Sequence, residues 1–156
     1  MGSPEFIRRL REKIGHDPLW LPGVRGVVFD ADGRVLLCQG VDTGGWALIT
    51  GILDPGEEPG PGMVREIFEE TAVVARIEHL LGMAAVGPVT FPNGDVCDFL
   101  NIEFIARHES GTARVNDDES LAVGWFAIDE LPPLRPGHLD CIHRALAFDG
   151  EPHFQR

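Results

Sequence analysis

Residues 51–73, Gly-Ile-Leu-Asp-Pro-Gly-Glu-Glu-Pro-Gly-Pro-Gly-Met-Val-Arg-Glu-Ile-Phe-Glu-Glu-Thr-Ala-Val, restrict what this chain can become more than any other stretch. A loop rich in Gly and Pro leads into a segment able to be helical from about Pro61, on which Glu66, Glu69 and Glu70 stand at i, i+3 and i+4. At about 100° per residue these carboxylates share one face, while Met63, Val64, Ile67, Phe68 and Thr71 take the opposite arc. The spacing predicts an amphipathic helix with a core side and an acid side. Like charges about 5.5 Å apart repel by about 3 kcal/mol per pair at an effective dielectric of about 20, so the acid side needs a positive partner. Clustered carboxylate oxygens are hard ligands, which makes Mg²⁺ or Mn²⁺ the expected occupant. No soft or imidazole ligand stands nearby in the chain to suggest zinc.

The flanking sequence alternates strand and helix signals. Residues 1–6 look like an expression-vector scar and are set aside from the fold. Residues 7–15 carry Ile7, Leu10 and Ile14 at helical spacing and predict a short helix, either covering the domain or meeting a second subunit as a homodimer. Residues 24–29 and 34–39 are β-rich runs joined by Asp30-Ala-Asp-Gly33, a hairpin signal. A short strand at 46–49 enters the acid-rich stretch. Residues 77–89 supply one or two strands, 92–95 a turn, 99–107 an alternating strand, and 109–120 a polar surface loop. Residues 121–128 read as a further strand, and 138–148 as a closing helix with Leu139, Ile142, Leu146 and Cys141 facing inward. With no repeat or linker, this order predicts a single α/β layered domain over 7–156.

Composition narrows the chemistry. A formal charge of −12 argues against broad adhesion to nucleic acid or anionic membrane, but not against a small anionic substrate carried with a divalent metal. Lys13 is the only lysine, so the Gly-Lys-Ser/Thr of a phosphate-binding loop is absent, and neither Gly-rich piece spells a dinucleotide fingerprint. Cys38, Cys97 and Cys141 are far apart and odd in number, which fits free thiols in a cytoplasmic protein. The six histidines show no metal-ligand spacing.

The stretch at 51–73 resembles the signature of the Nudix hydrolases, with Gly51, Glu57, Arg65, Glu66, Ile67, Glu69, Glu70 and Val73 at eight of its nine fixed positions. The departure is Ala72, where the family has Gly. Left-handed backbone at an Ala costs about 1–2 kcal/mol, so the helix is expected to run on through Val73 instead. The resemblance implies an α/β/α sandwich with a mixed sheet, and a metal-dependent attack of water on a diphosphate linked to another group. It also implies roles: Glu66, Glu69 and Glu70 as metal ligands, Glu69 and Glu70 as the residues that polarise the water, Arg65 paired with Glu57 as a brace, and Gly51 letting the backbone turn close to the metal. Outside the signature, Arg25, Gln39, Trp46, Glu103 and Glu119 are candidates for substrate contact. For Trp46 the alternative is packing, for Glu103 and Glu119 a polar surface position. The expected function is a pyrophosphohydrolase acting on a nucleoside triphosphate, an ADP-ribose-like compound or a dinucleoside polyphosphate. The alternative is a Nudix-fold module that binds a nucleotide or sugar nucleotide without cleaving it.

Overall fold

Strand β1 holds the molecule together because both of its edges are paired. A computed structural model describes residues 3–156, and in it the elements are α1 (Glu5–Ile14), β1 (Leu19–Phe29), β2 (Val35–Gly40), β3 (Trp46–Ala47), β4 (Ile49–Ile52), α2 (Pro59–Thr71), β5 (Val74–Thr90), β6 (Val96–Ser110), β7 (Ser120–Phe126) and α3 (His138–Leu146). One edge of β1 runs parallel to β6 from Leu19↔Cys97 to Phe29↔Arg107, and the other takes β4 antiparallel from Gly23↔Ile52 to Gly26↔Ile49. The seven-stranded mixed sheet has the order β3-β2-β1-β6-β5, with β7 on the free side of β2. Val24, Val27 and Val28 of β1 and Phe104, Ile105 and Ala106 of β6 are buried on both faces of the sheet, as expected for covered parallel neighbours.

Side chains alternate between the faces. Val24, Val28, Leu36, Ile49, Phe104 and Ala106 pack under Met63 and Ile67 of α2. Val27, Phe29, Leu37, Leu48 and Ile105 pack under Cys141, Ile142 and Ala145 of α3. A smaller cluster of Ile7, Leu21 and Cys97 lies beneath α1. The α/β/α sandwich is thus present, and among the described residues no helix is long and apolar enough to cross a membrane.

Several local expectations change. Helix α1 begins at Glu5, so Glu5 and Phe6 of the stretch set aside belong to it, and Phe6 packs beside Ile7 while Leu10 stays exposed. The 30–33 hairpin forms: Asp30 Oδ1 accepts from the N–H groups of Asp32 and Arg34, and Gly33 supplies φ 76°. Its strands share only the pair Phe29↔Val35 before β2 leaves to join β7. The strand expected at 46–49 is split at Leu48, which passes from β3 on β2 to β4 on β1. Its N–H donates to Nδ1 of buried His138 at 3.0 Å, so the switch leaves no orphaned donor. In α3 the inward face is Cys141, Ile142 and Ala145, whereas Leu139 and Leu146 are exposed.

Helix α2 starts two residues earlier than expected, with Pro59 at its first position, where a missing N–H costs nothing. It stops at Thr71 instead of continuing through Val73. Ala72 takes the left-handed conformation (φ 59°, ψ 13°) and its N–H closes on Phe68 O at 2.9 Å. The Thr71 hydroxyl donates to Ile67 O and accepts from Val73 N–H, turning the chain straight into β5. The demand for strand β5 outweighs the conformational cost at Ala72. Ala72→Gly is expected to stabilise the protein by about 1 kcal/mol, raising Tm by about 2–4 °C in a thermal melt.

Candidate active site

The acid side of α2 is not a solvent face. It turns toward β4 and the end of β2, and one guanidinium organises most of it. Arg65 Nε donates to Glu57 Oε1 at 2.7 Å and Nη2 to Glu57 Oε2 at 2.8 Å, a two-pronged pair. Its Nη1 reaches Glu66 Oε1 at 2.9 Å and Glu69 Oε2 at 3.0 Å. Glu57 also accepts the Asp54 N–H at 3.0 Å, so the loop before the helix closes on the same carboxylate. The Arg65 hydrogen bonds hold the Glu57 carboxyl below the usual range.

Gly51 is needed for space. It is an extended residue of β4 paired with Val24, and a Cβ there would overlap the Glu66 side chain. The backbone turn expected at Gly51 is therefore a close approach of helix side chain to strand. Burial in this crevice pushes the Glu66 carboxyl up to about 7, against the opposing pull of Arg65. Glu70, one turn on, is more deeply placed and is pushed up to about 8, again by burial. Its hydrogen-bond partner is the thiol of Cys38 on β2, and the charges of Glu66, Asp117 and Glu119 add to the rise. Cys38 is a buried thiol raised well above its ordinary range, first by burial and then by Glu70, so it is a proton donor and no nucleophile.

The loop after β6 covers the far end of the helix. Asn116 N–H donates to Glu70 O at 3.2 Å, its side-chain amide to Phe68 O at 3.0 Å, and Arg114 N–H to Thr71 O at 3.0 Å. These bonds satisfy carbonyls of the last turn of α2 and bring Asp117 and Glu119 to Glu70. Phe68, expected on the core side, is half exposed there. Sequence reasoning missed Cys38, Asn116 and Asp117 as neighbours of the acids. The first is separated from Glu70 by a whole loop and strand, and Asn116 and Asp117 sit in a polar run like any surface loop.

The other candidates are dispersed. Glu119 joins the carboxylates, and its backbone O accepts the Val41 N–H at 2.9 Å. Gln39 Nε2 donates to Gly44 O at 2.8 Å and braces its own loop. Trp46 stands edge-on to Phe126, 4.8 Å between ring centroids, in the α3-side core. Arg25 lies on that face too, opposite α2. Glu103, taken for a residue on a polar strand face, is wholly buried and accepts from Arg25 at 3.3 Å and from Arg144 at 2.5 Å, making it an internal counter-ion. The polar side of β6 meets α3, which the alternation of its sequence could not show.

Among the described residues no three Asp, Glu, His or Cys side chains converge as a ready ligand set, since Glu66 and Glu69 face Arg65 and Glu70 faces Cys38. The donor chemistry nevertheless fits a hard divalent cation. Three carboxylates, Glu57, Glu66 and Glu69, share one guanidinium, and burial drives Glu66 and the neighbouring Glu70 toward the neutral acid.

A mixed sheet between helices with acids arrayed beside one strand-loop-helix defines a hydrolase class. Residues 19–145 match the family model described as the NUDIX domain, and the chain belongs to the Nudix family as a Nudix hydrolase. It is 31% identical over 133 residues to a MutT-like protein of Streptomyces ambofaciens, covering 85% of this chain and 80% of that one. It is 30% identical over 141 residues to the 8-oxo-dGDP phosphatase NUDT18 of Mus musculus, covering 86% of this chain but only 39% of that protein. A Nudix hydrolase structure from Nitrosomonas europaea superposes with a TM-score of 0.70 at 25% identity, covering 88% of this chain and 97% of that one.

Glu66 and Glu70 hold protons more tightly in the folded chain than in the unfolded one, where Glu titrates at 4.5. Their contribution to stability is complete below that value and is lost as pH rises through about 7 and about 8. His138 acts in the opposite sense: burial, with Arg25 and Arg135, holds it down to about 3, so its contribution is lost as pH falls below 6.5. Thermal melts of metal-free protein are therefore expected to show Glu70→Gln gaining on the wild type as pH rises from about 5 to about 8, by up to a few kcal/mol. Equal pH profiles for the two proteins would exclude a neutral Glu70.

Proposed function

We propose that this Nudix hydrolase is a divalent-metal-dependent pyrophosphohydrolase that cleaves a nucleoside diphosphate linked to another moiety. The observation that carries the reading is the half-buried pair Glu66 and Glu70 beside Glu69, an arrangement short of positive charge on a braced helix. Glu66, Glu69 and Glu70 would hold Mg²⁺ or Mn²⁺, which when bound supplies charge neutralisation at the diphosphate and makes a water more acidic.

The protein's own part is positional. Arg65, fixed by Glu57, keeps Glu66 and Glu69 at one edge of the crevice. Gly51 leaves the room in which Glu66 lies. Glu70 or Glu69 takes the proton as a water oxygen bonds to phosphorus. The anhydride P–O bond breaks with its electron pair going to the departing phosphate, and two phosphorylated products result. Acidic Asp117 and Glu119 raise the proton affinity of Glu70, which suits a base.

The substrate is a small nucleotide-type anion. The name of the 8-oxo-dGDP phosphatase relative puts oxidised purine nucleoside diphosphates first in a panel that also holds nucleoside triphosphates, ADP-ribose and dinucleoside polyphosphates. With Mn²⁺ or Mg²⁺, at least one class is expected to release phosphate, pyrophosphate or a nucleoside monophosphate. Glu70→Gln is expected to lower kcat at least about a hundredfold with the fold retained. If one nucleotide binds tightly and none turns over with either metal, the binding-module reading replaces this one.

A further inference from the structure

Strand β5 ends the sheet on the β6 side, and its free edge is uneven along its length. Its pairing with β6 is broken between Val74 and Ala75, Ile77 and His79, Leu80 and Gly82, and Val86 and Val89. Such irregularities bend an edge and spoil it as a template, and the ion pair of Arg76 and Glu78 adds charge to the first part. The longest uninterrupted run is Gly82-Met-Ala-Ala-Val86, in register with Glu103 back to Phe99. It holds no charge and no proline, so a further strand could be laid on it.

That run is where the chain returns after α3. Phe148 lies on the ring of His79 of β5, 5.0 Å between ring centroids, and the chain then turns at Gly150, with φ 104°, where the Glu151 N–H donates to Asp149 Oδ1. His153 joins the edge in parallel at Gly82. Its N–H donates to Leu81 O at 2.8 Å, and its O accepts from the Met83 N–H at 3.0 Å. Glycine is required here, since a Cβ on Gly82 would overlap His153 O. By alternation from Met83, the next N–H to point outward is that of Ala85, and among the described residues nothing pairs with it. Met83 and Leu100, on either side of Ala85, are exposed.

We infer that residues 149–154 are a guard on this edge, and that the 82–86 run, once uncovered, is an interface for a second copy of the chain. A two-fold axis sets the run antiparallel to its own copy, so that outward backbone groups pair across it and Met83 and Ala85 of each chain meet on the α2 face. Main-chain bonds accept any strand, and side chains choose among them. A charged strand finds no opposite charge on this run, whereas an identical one brings apolar side chains to apolar side chains. The inference concerns association and does not rest on the hydrolase reading.

Two substitutions in the full chain lift the guard by different means. His153→Pro removes the N–H that bonds Leu81 without touching the sheet, and Gly82→Val fills the space that His153 O occupies. In dilute solution the Met83 N–H is expected to exchange with deuterium at least about tenfold faster in each variant than in the wild type. In sedimentation velocity over a concentration series, each variant is expected to gain one association step, a doubling of mass, that the wild type lacks. Ala85→Pro deletes an outward N–H and leaves the β6 ladder whole, so adding it to His153→Pro is expected to abolish that step. A Met83 N–H that exchanges freely in the wild type, or no faster in His153→Pro, overturns the guard. Faster exchange with no added association overturns the interface, as does an added step that survives Ala85→Pro. Should Gly82→Val fail to fold, His153→Pro decides alone, because residue 153 is exposed and outside the sheet's core.

Discussion

The two-pronged bond between Arg65 and Glu57 is the constraint on which the carboxylate crevice depends. It joins the Gly- and Pro-rich loop to the middle of α2, and the remaining nitrogen of the same guanidinium fixes the directions of Glu66 and Glu69. Side chains with several rotatable bonds would otherwise spread apart under mutual repulsion. One planar cation gathers three of them, which an ammonium could not do with the same geometry. Glu70 lies outside this arrangement. It is governed by burial and by a neutral thiol, so two neighbouring glutamates on one helix turn meet different electrostatic surroundings.

Much of this was legible from residue spacing. The acid face, the brace between Glu57 and Arg65, the order of strands and the closing helix follow from period and from the resemblance at 51–73. What sequence could not show was the direction of the acid face. An i, i+3, i+4 row of glutamates has the same spacing on a solvated surface as in a crevice. Only the missing Cβ of Gly51 and the position of Cys38 on a neighbouring strand decide between them. The same blindness affected β6, where Glu103 alternates like a surface residue yet meets two arginines in the interior. Alternation identifies two faces and does not say what covers each. At Ala72, local preference argued for a longer helix, and the start of β5 prevailed.

The second face of the sheet carries its own polar system. Glu103 binds Arg25 and Arg144, tying β1 and β6 to α3, and His138 accepts the N–H that β3 and β4 leave unpaired between them. A buried ion pair of this kind is held at some cost in desolvation, and removing one partner leaves an uncompensated charge. The position of α3, and with it the direction of Arg25 and Arg135, is therefore set by polar contacts as much as by Cys141 and Ile142.

The placement of β1 has a bearing on how the chain is made. Its parallel partner β6 lies 78 residues further along, so a nascent chain emerging from the ribosome holds β1, β2, β4 and α2 well before the residues that complete the central ladder. Until Arg107 has emerged, a Val-rich strand keeps one edge unpaired, and such an edge is a template for association with other chains. The β5–β6 hairpin is closed by the short turn at 91–95 and can form locally as it appears. Its arrival ends that exposure, which makes the interval between the two strands the period in which synthesis of this protein is most open to misassembly.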